Sequence, residues 1–188
     1  MISKLKSILK ELDDAYFGRI VSNGLTNITY YPVNTKEKSF TFSKQAIYLE
    51  RSINDRCFNC FSSALYIYNR CLEEGLEPDM YAYYVKAYDV TNDKDIDMLG
   101  HLSVIVGGVG THYCIEWADK EIRGITKAST VNDLIKFNKY YSEYRSLDVT
   151  YKIYKVRKPQ VLSAIKEATD MLTFSAEVLV NSDEFKVY

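Results

Sequence analysis

An imidazole base in this chain has two possible sources, His101 and His112, because the 188 residues contain no other histidine. Its candidate nucleophiles are four cysteines, Cys57, Cys60, Cys71 and Cys114. Cys60 stands where the clearest helical pattern begins, and the N–H groups and positive dipole end of a helix stabilise a thiolate there. An imidazolium beside that sulfur would stabilise it further and yield a nucleophile at neutral pH. A carboxylate that fixes the imidazole tautomer and balances the imidazolium completes a nucleophile–base–orienter set. Glu116 is the candidate for that role.

A predicted hairpin positions His101 and Glu116. Strands at His101–Val106 and Thr111–Trp117 flank the turn Gly107-Gly108-Val109-Gly110. With that four-residue turn, Val106 faces Thr111, His101 lies opposite Glu116, Ser103 opposite Cys114, and Ile105 opposite His112. These six side chains share one face, while Leu102, Val104, Tyr113 and Ile115 point to an apolar one. Directly opposed Cβ atoms are about 4.5–5.5 Å apart, within reach of an imidazole–carboxylate hydrogen bond. At about 3.3 Å per residue, His112 falls about 13 Å along the strand and is a poor partner for His101.

The other elements frame this pair. From Cys60, residues Phe61, Ala64, Leu65, Tyr68 and Leu72 recur at helical spacing; Gly75 suits a left-handed C-terminal cap, and Pro78 confirms the stop. Residues 2–12 form an amphipathic helix with Ile2, Leu5, Ile8, Leu9 and Leu12 on one stripe. Asn23-Gly24 marks a turn, followed by extended segments at Leu25–Tyr31 and Ser39–Phe42 around a polar loop at Pro32–Lys38, then a short helix over 43–53. A Tyr-rich strand at Met80–Val90 leads into an acidic, polar loop at Thr91–Gly100. A helix over Val131–Tyr144, a strand at Val149–Val156 and a helix beginning at Pro159 complete the chain. The pattern has no repeat or linker, and one α+β domain over residues 1–188 is expected.

In this order the motifs resemble the transglutaminase-like branch of the papain-like cysteine enzymes. That family opens a helix with Gly-x-Cys-aromatic, matched by Phe58-Asn59-Cys60-Phe61 with Ala64-Leu65 following. Its helix ends in Gly-hydrophobic-x-Pro, matched by Gly75-Leu76-Glu77-Pro78. A His-led apolar strand and an aromatic-and-acid strand come next, matched by His101–Val106 and Cys114–Trp117. The resemblance spans about residues 54–119. It implies an antiparallel sheet with the nucleophile helix packed on it, and a Cys60–His101–Glu116 triad acting on amide bonds of a protein or peptide. It implies no metal or organic cofactor. Phe58 stands where the family has Gly, and Glu116 where Asp is commoner. Asp119 is the fallback acid, though alternation puts it on the opposite face. The papain-type oxyanion Gln lies six residues before the nucleophile, where this chain has Asn54.

Two other readings stay open: a catalytically silent domain that keeps the fold as a binding module, and a Cys–His–His endopeptidase with His112 as orienter. Cys57-x-x-Cys60 lacks the βαβ context of a redox dithiol, and Cys71 and Cys114 form no second close pair for zinc. Cys71 belongs to the apolar stripe. Asp93-x-Asp95-x-Asp97 lacks the Gly and Glu of a calcium loop and is expected to be a solvated loop. Lys152, Lys155, Arg157 and Lys158 are expected to protect an exposed sheet edge.

With 24 basic against 25 acidic residues, the formal net charge is -1, unlike a protein that grips nucleic acid by its phosphates. Apolar runs such as Val104-Ile105-Val106 and Val178-Leu179-Val180 are too short to span a bilayer. The N-terminal residues lack the apolar core of a signal peptide. Reduced thiols in a cytoplasm are therefore expected. Seventeen tyrosines beside eight phenylalanines and one tryptophan suit half-buried strands, because Tyr buries a ring while keeping its hydroxyl available.

Overall fold

A computed structural model describes residues 1–20, 28–32, 40–42, 49–89, 92–118, 121–139, 141, 151–163 and 171–188. The architecture is mixed α+β. It opens with α1 (Ile2–Lys10), β1 (Tyr16–Ile20), β2 (Ile28–Pro32), β3 (Phe40–Phe42), α2 (Leu49–Asp55) and β4 (Cys57–Phe58). Then come α3 (Cys60–Glu73), β5 (Pro78–Asp89), β6 (Lys94–Gly108), β7 (Thr111–Glu116) and β8 (Gly124–Ala128). The chain closes with α4 (Val131–Phe137), β9 (Tyr151–Val156), α5 (Pro159–Ser163), α6 (Met171–Val180) and β10 (Ser182–Phe185). Strands β3-β2-β1-β4 form a small sheet, and β10-β9-β5-β6-β7-β8 form a larger, fully antiparallel one.

Both faces of the larger sheet are covered. Alternation along β5 and β6 sends Met80, Ala82, Leu102, Val104 and Val106 into a core shared with Leu5, Ile8, Leu65 and Cys71 of the helices. On the opposite face Tyr81, Tyr83, Ile105 and Cys114 meet Leu134 and Ile135 of α4 and Ile153 of β9. The polar face of the hairpin is therefore a second interior. No helix among the described residues is long and apolar enough to cross a membrane.

Helix α3 ends as its sequence predicts. Gly75 has φ +70, its N–H donates to the Leu72 carbonyl at 2.9 Å, and the Leu76 N–H reaches the Cys71 carbonyl at 2.9 Å. That pair of bonds is a Schellman termination, which needs a left-handed residue at this position.

Several expectations are corrected. Residues 94–100 are not a loop but the first half of β6, paired with β5. The acidic residues are tolerated there because Lys86 meets Asp95 at 2.8 Å and Lys152 meets Asp97 at 3.2 Å. Asp95 and Asp97 are thus cross-strand partners, while Asp93 takes a positive φ of 50. The basic cluster does not guard an edge, since β9 lies between β10 and β5. Lys155 instead pairs with Asp79 at 2.8 Å and Arg157 with Asp183 at 2.7 Å. The helix expected over Val131–Tyr144 is broken at Asn138, which turns extended at φ -67, ψ 128, so α4 stops at Phe137 and Lys139 and Tyr141 are helical again beyond the break. Strands β8 and β10 and helix α6 have no counterpart in the sequence reading. The Asn23-Gly24 turn, the loop at 33–38 and the start of the helix expected over 43–53 lie outside the described residues.

Candidate active site

Cys60 is the first residue of α3, and the local sequence explains why the helix begins there. Asn59 at the N-cap is extended (φ -103, ψ -174). Its Oδ1 accepts from the N–H groups of Phe61 at 2.9 Å and Ser62 at 2.8 Å, and Ser62 Oγ accepts the Asn59 N–H at 3.0 Å. This reciprocal capping box satisfies donors that a helix start leaves unpaired. The Asn59 side chain takes up the N–H groups of Phe61 and Ser62, not that of Cys60. Cys60 is also the only partly exposed cysteine; Cys57, Cys71 and Cys114 are buried. Burial pushes the Cys71 thiol up to about 12, and burial followed by the Glu116 charge raises Cys114 well above its ordinary value.

His101 sits inside β6 immediately after a bulge. Tyr83 pairs with His101 and Tyr84 with Leu99, so Gly100 is the extra residue. Such a bulge re-aims the side chains beside it. The His101 ring is fully buried, with the ring of Tyr83 edge-on at 5.7 Å.

The β6–β7 hairpin is tighter than the glycine run suggests. Gly108 pairs with Thr111, leaving Val109-Gly110 as a two-residue turn with Gly110 at φ +64. Gly107 therefore faces His112, and Ile105 faces Cys114. The register is displaced by two residues from the expected one, which places Ser103, not His101, level with Glu116. An even displacement preserves which face each side chain occupies. His101 reaches Glu116 diagonally instead, with Nε2 at 3.0 Å from Oε2 and 3.1 Å from Oε1.

The electrostatics follow from this placement. Burial opposes a charge on His101, but the Glu116 carboxylate and then the Cys60 side chain outweigh it, raising the imidazole to about 10. Nε2 is the ring nitrogen engaged with Glu116. His101 and Glu116 are buried, while Cys60 is partly exposed.

Glu116 is held from several sides. Its Oε1 accepts from Ser103 Oγ and, at 3.1 Å, from Asn138 Nδ2; the Cys114 thiol lies 3.7 Å away. Neither Ser103 nor Asn138 was singled out as a site residue by sequence. Parity on β6 places Ser103 beside His101, but nothing local connects Asn138 to a strand 22 residues earlier.

The other candidates lie elsewhere. His112 is four residues from Glu116 along β7, and its Nδ1 donates to the Ser129 carbonyl at 3.3 Å. Asn54 is exposed on the last turn of α2. Asp119 lies outside the described residues. Among the described residues no group of three or more His, Cys, Asp or Glu side chains is arranged to hold a metal ion. No protein-family model, curated protein or solved structure matches the chain.

Proposed function

We propose that this chain is a cysteine-dependent acyl-transfer enzyme acting on amide bonds of a protein or peptide, with Cys60 as nucleophile, His101 as acid–base and Glu116 as orienter. The observation that carries the reading is the buried His101 imidazole, hydrogen-bonded to Glu116 through Nε2, with its charge favoured first by the Glu116 carboxylate and then by the Cys60 side chain at the start of α3. On this reading the fold is papain-like, of the transglutaminase-like kind, with α3 as the nucleophile helix on the antiparallel sheet. The compartment is cytoplasmic, and neither nucleic acid nor a membrane is a partner.

The imidazolium holds the proton given up by the Cys60 thiol. The thiolate attacks the amide carbonyl, and the Cys60 backbone N–H stabilises the oxyanion. Exposed Asn54 is not needed for that step. As the C–N bond breaks, His101 delivers its proton to the departing amine and a thioester remains on Cys60. His101 then takes a proton from an incoming water or amine, which displaces the sulfur. Water gives an acid product, by peptide cleavage or glutamine deamidation, and an amine gives transamidation. The triad chooses the nucleophile, not the acceptor, and the chemistry requires no cofactor.

Substoichiometric iodoacetamide at neutral pH, followed by peptide mapping, tests the reading. Cys60 is expected to be alkylated ahead of the buried cysteines, and His101→Ala is expected to slow the alkylation of Cys60 itself. Equal labelling of all four would overturn it in favour of a silent module. Incubating candidate proteins with wild type and Cys60→Ala then identifies the acceptor. A gain of about 1 Da at Gln reports deamidation, a lysine adduct cross-linking, and fragments proteolysis.

A further inference from the structure

A carboxylate side chain rotates easily about its last torsion, so a Glu serving as orienter needs something to hold its plane. In this site the constraint comes from outside the hairpin. Helix α4 packs Leu134 and Ile135 onto the sheet face that carries His101. It ends at Asn138, whose extended backbone breaks the helix and whose side chain is buried. Asn138 Nδ2 lies 3.1 Å from Glu116 Oε1 and 3.3 Å from Ser103 Oγ, while Ser103 Oγ itself donates to that same Oε1. His101 Nε2 approaches Oε2 at 3.0 Å. Ser103 and Asn138 both gather on Oε1, while the imidazole Nε2 faces both oxygens, 3.0 Å from Oε2 and 3.1 Å from Oε1.

We propose that Asn138 is a positioning residue for the triad, its Nδ2 anchoring Glu116 Oε1 so that the carboxylate stays turned toward His101 Nε2, which both of its oxygens approach. The inference rests on the function proposed above and extends the working site from α3, β6 and β7 to a fourth element, the C-terminal end of α4. The arrangement suits a buried charge, whose desolvation is offset only when its lone pairs meet donors. An aliphatic residue at 138 would leave Oε1 with the Ser103 hydroxyl, the weak thiol donor of Cys114 and the imidazole it shares with Oε2, and would remove the one donor that reaches it from outside the hairpin. Glu116 could then turn away from the imidazole, and the thiolate–imidazolium pair would lose its counter-charge.

The test measures iodoacetamide alkylation of Cys60 in the full chain from pH 5 to 9, read by peptide mapping, for wild type, Asn138→Leu and Asn138→Ser. Leu keeps the branched outline at a larger volume and removes the donor, while Ser retains polarity but falls short of Oε1. Both variants are expected to lose at least about tenfold in Cys60 alkylation at pH 7, and the acid limb of the rate profile should move upward. A purely structural role would lower the melting temperature without displacing that limb. An unchanged profile in either folded variant overturns the proposal for Asn138 and leaves the triad standing. If wild-type Cys60 reacts no faster than Cys57, the triad itself is wrong and the role of Asn138 falls with it. Should Asn138→Leu fail to fold, the milder Asn138→Ser decides.

Discussion

His101 and Glu116 are joined diagonally across β6 and β7, Nε2 to Oε2 at 3.0 Å, with Ser103 occupying the position level with Glu116. This geometry lets one carboxylate serve two neighbours on the same strand, accepting from Ser103 through Oε1 and facing the imidazole with both oxygens. The pair is sealed from water, where electrostatic interactions are stronger than at the surface.

Glu116→Gln keeps the side-chain shape and removes the charge that balances the imidazolium. The Cys60 alkylation rate at pH 7 is expected to fall by about 10²–10⁴-fold, within the range attributed to positioned acid–base groups. His112→Ala should leave the rate near wild type, because His112 is turned toward the Ser129 carbonyl. The reverse ordering in a stopped labelling series would favour the Cys–His–His alternative.

Stability should depend on pH through His101. Its folded value, about 10, lies above the ordinary 6.5, so the folded state binds the proton more tightly than the unfolded chain. The resulting stabilisation is fully present below about 6.5 and is lost as pH rises through about 10. Urea midpoints at pH 6, 8 and 10 should fall more steeply for wild type than for His101→Gln. Parallel curves would mean that the imidazole does not gain its charge on folding.

Asn59→Ala removes the side-chain half of the capping box beside the proposed nucleophile. A loss of about 1 kcal/mol is expected in denaturant unfolding. Because Cys60 is the next residue, its alkylation should slow as well, linking a folding defect to a chemical one.

Gly75→Ala supplies the contrast. Nothing lies within 4 Å of an added Cβ, but the backbone there has φ +70. The cost is backbone strain alone, about 1–2 kcal/mol in thermal unfolding. Gly75 lies beyond the opposite end of α3 from Cys60, so the folded variant should be alkylated at the wild-type rate.

The positions of α3, its Gly75 terminus and the shared face of His101, Ser103 and Glu116 were legible in the sequence, because capping, helical spacing and strand alternation are local and periodic. The lysine-rich strand was misplaced at an edge because strand order depends on pairing between distant segments. The acidic stretch 94–97 read as a loop because its neutralising partners, Lys86 and Lys152, belong to other strands.

Residue order alone therefore determined where the sulfur, the imidazole and the carboxyl sit on their own elements, and toward which side of the sheet the last two point. Only tertiary structure decided that the hairpin closes two residues tighter, that the polar face is roofed by α4, and that Asn138 reaches Glu116. Alternation repeats every two residues and survives an even slip, whereas burial and cross-element hydrogen bonds depend on which surfaces finally pack together.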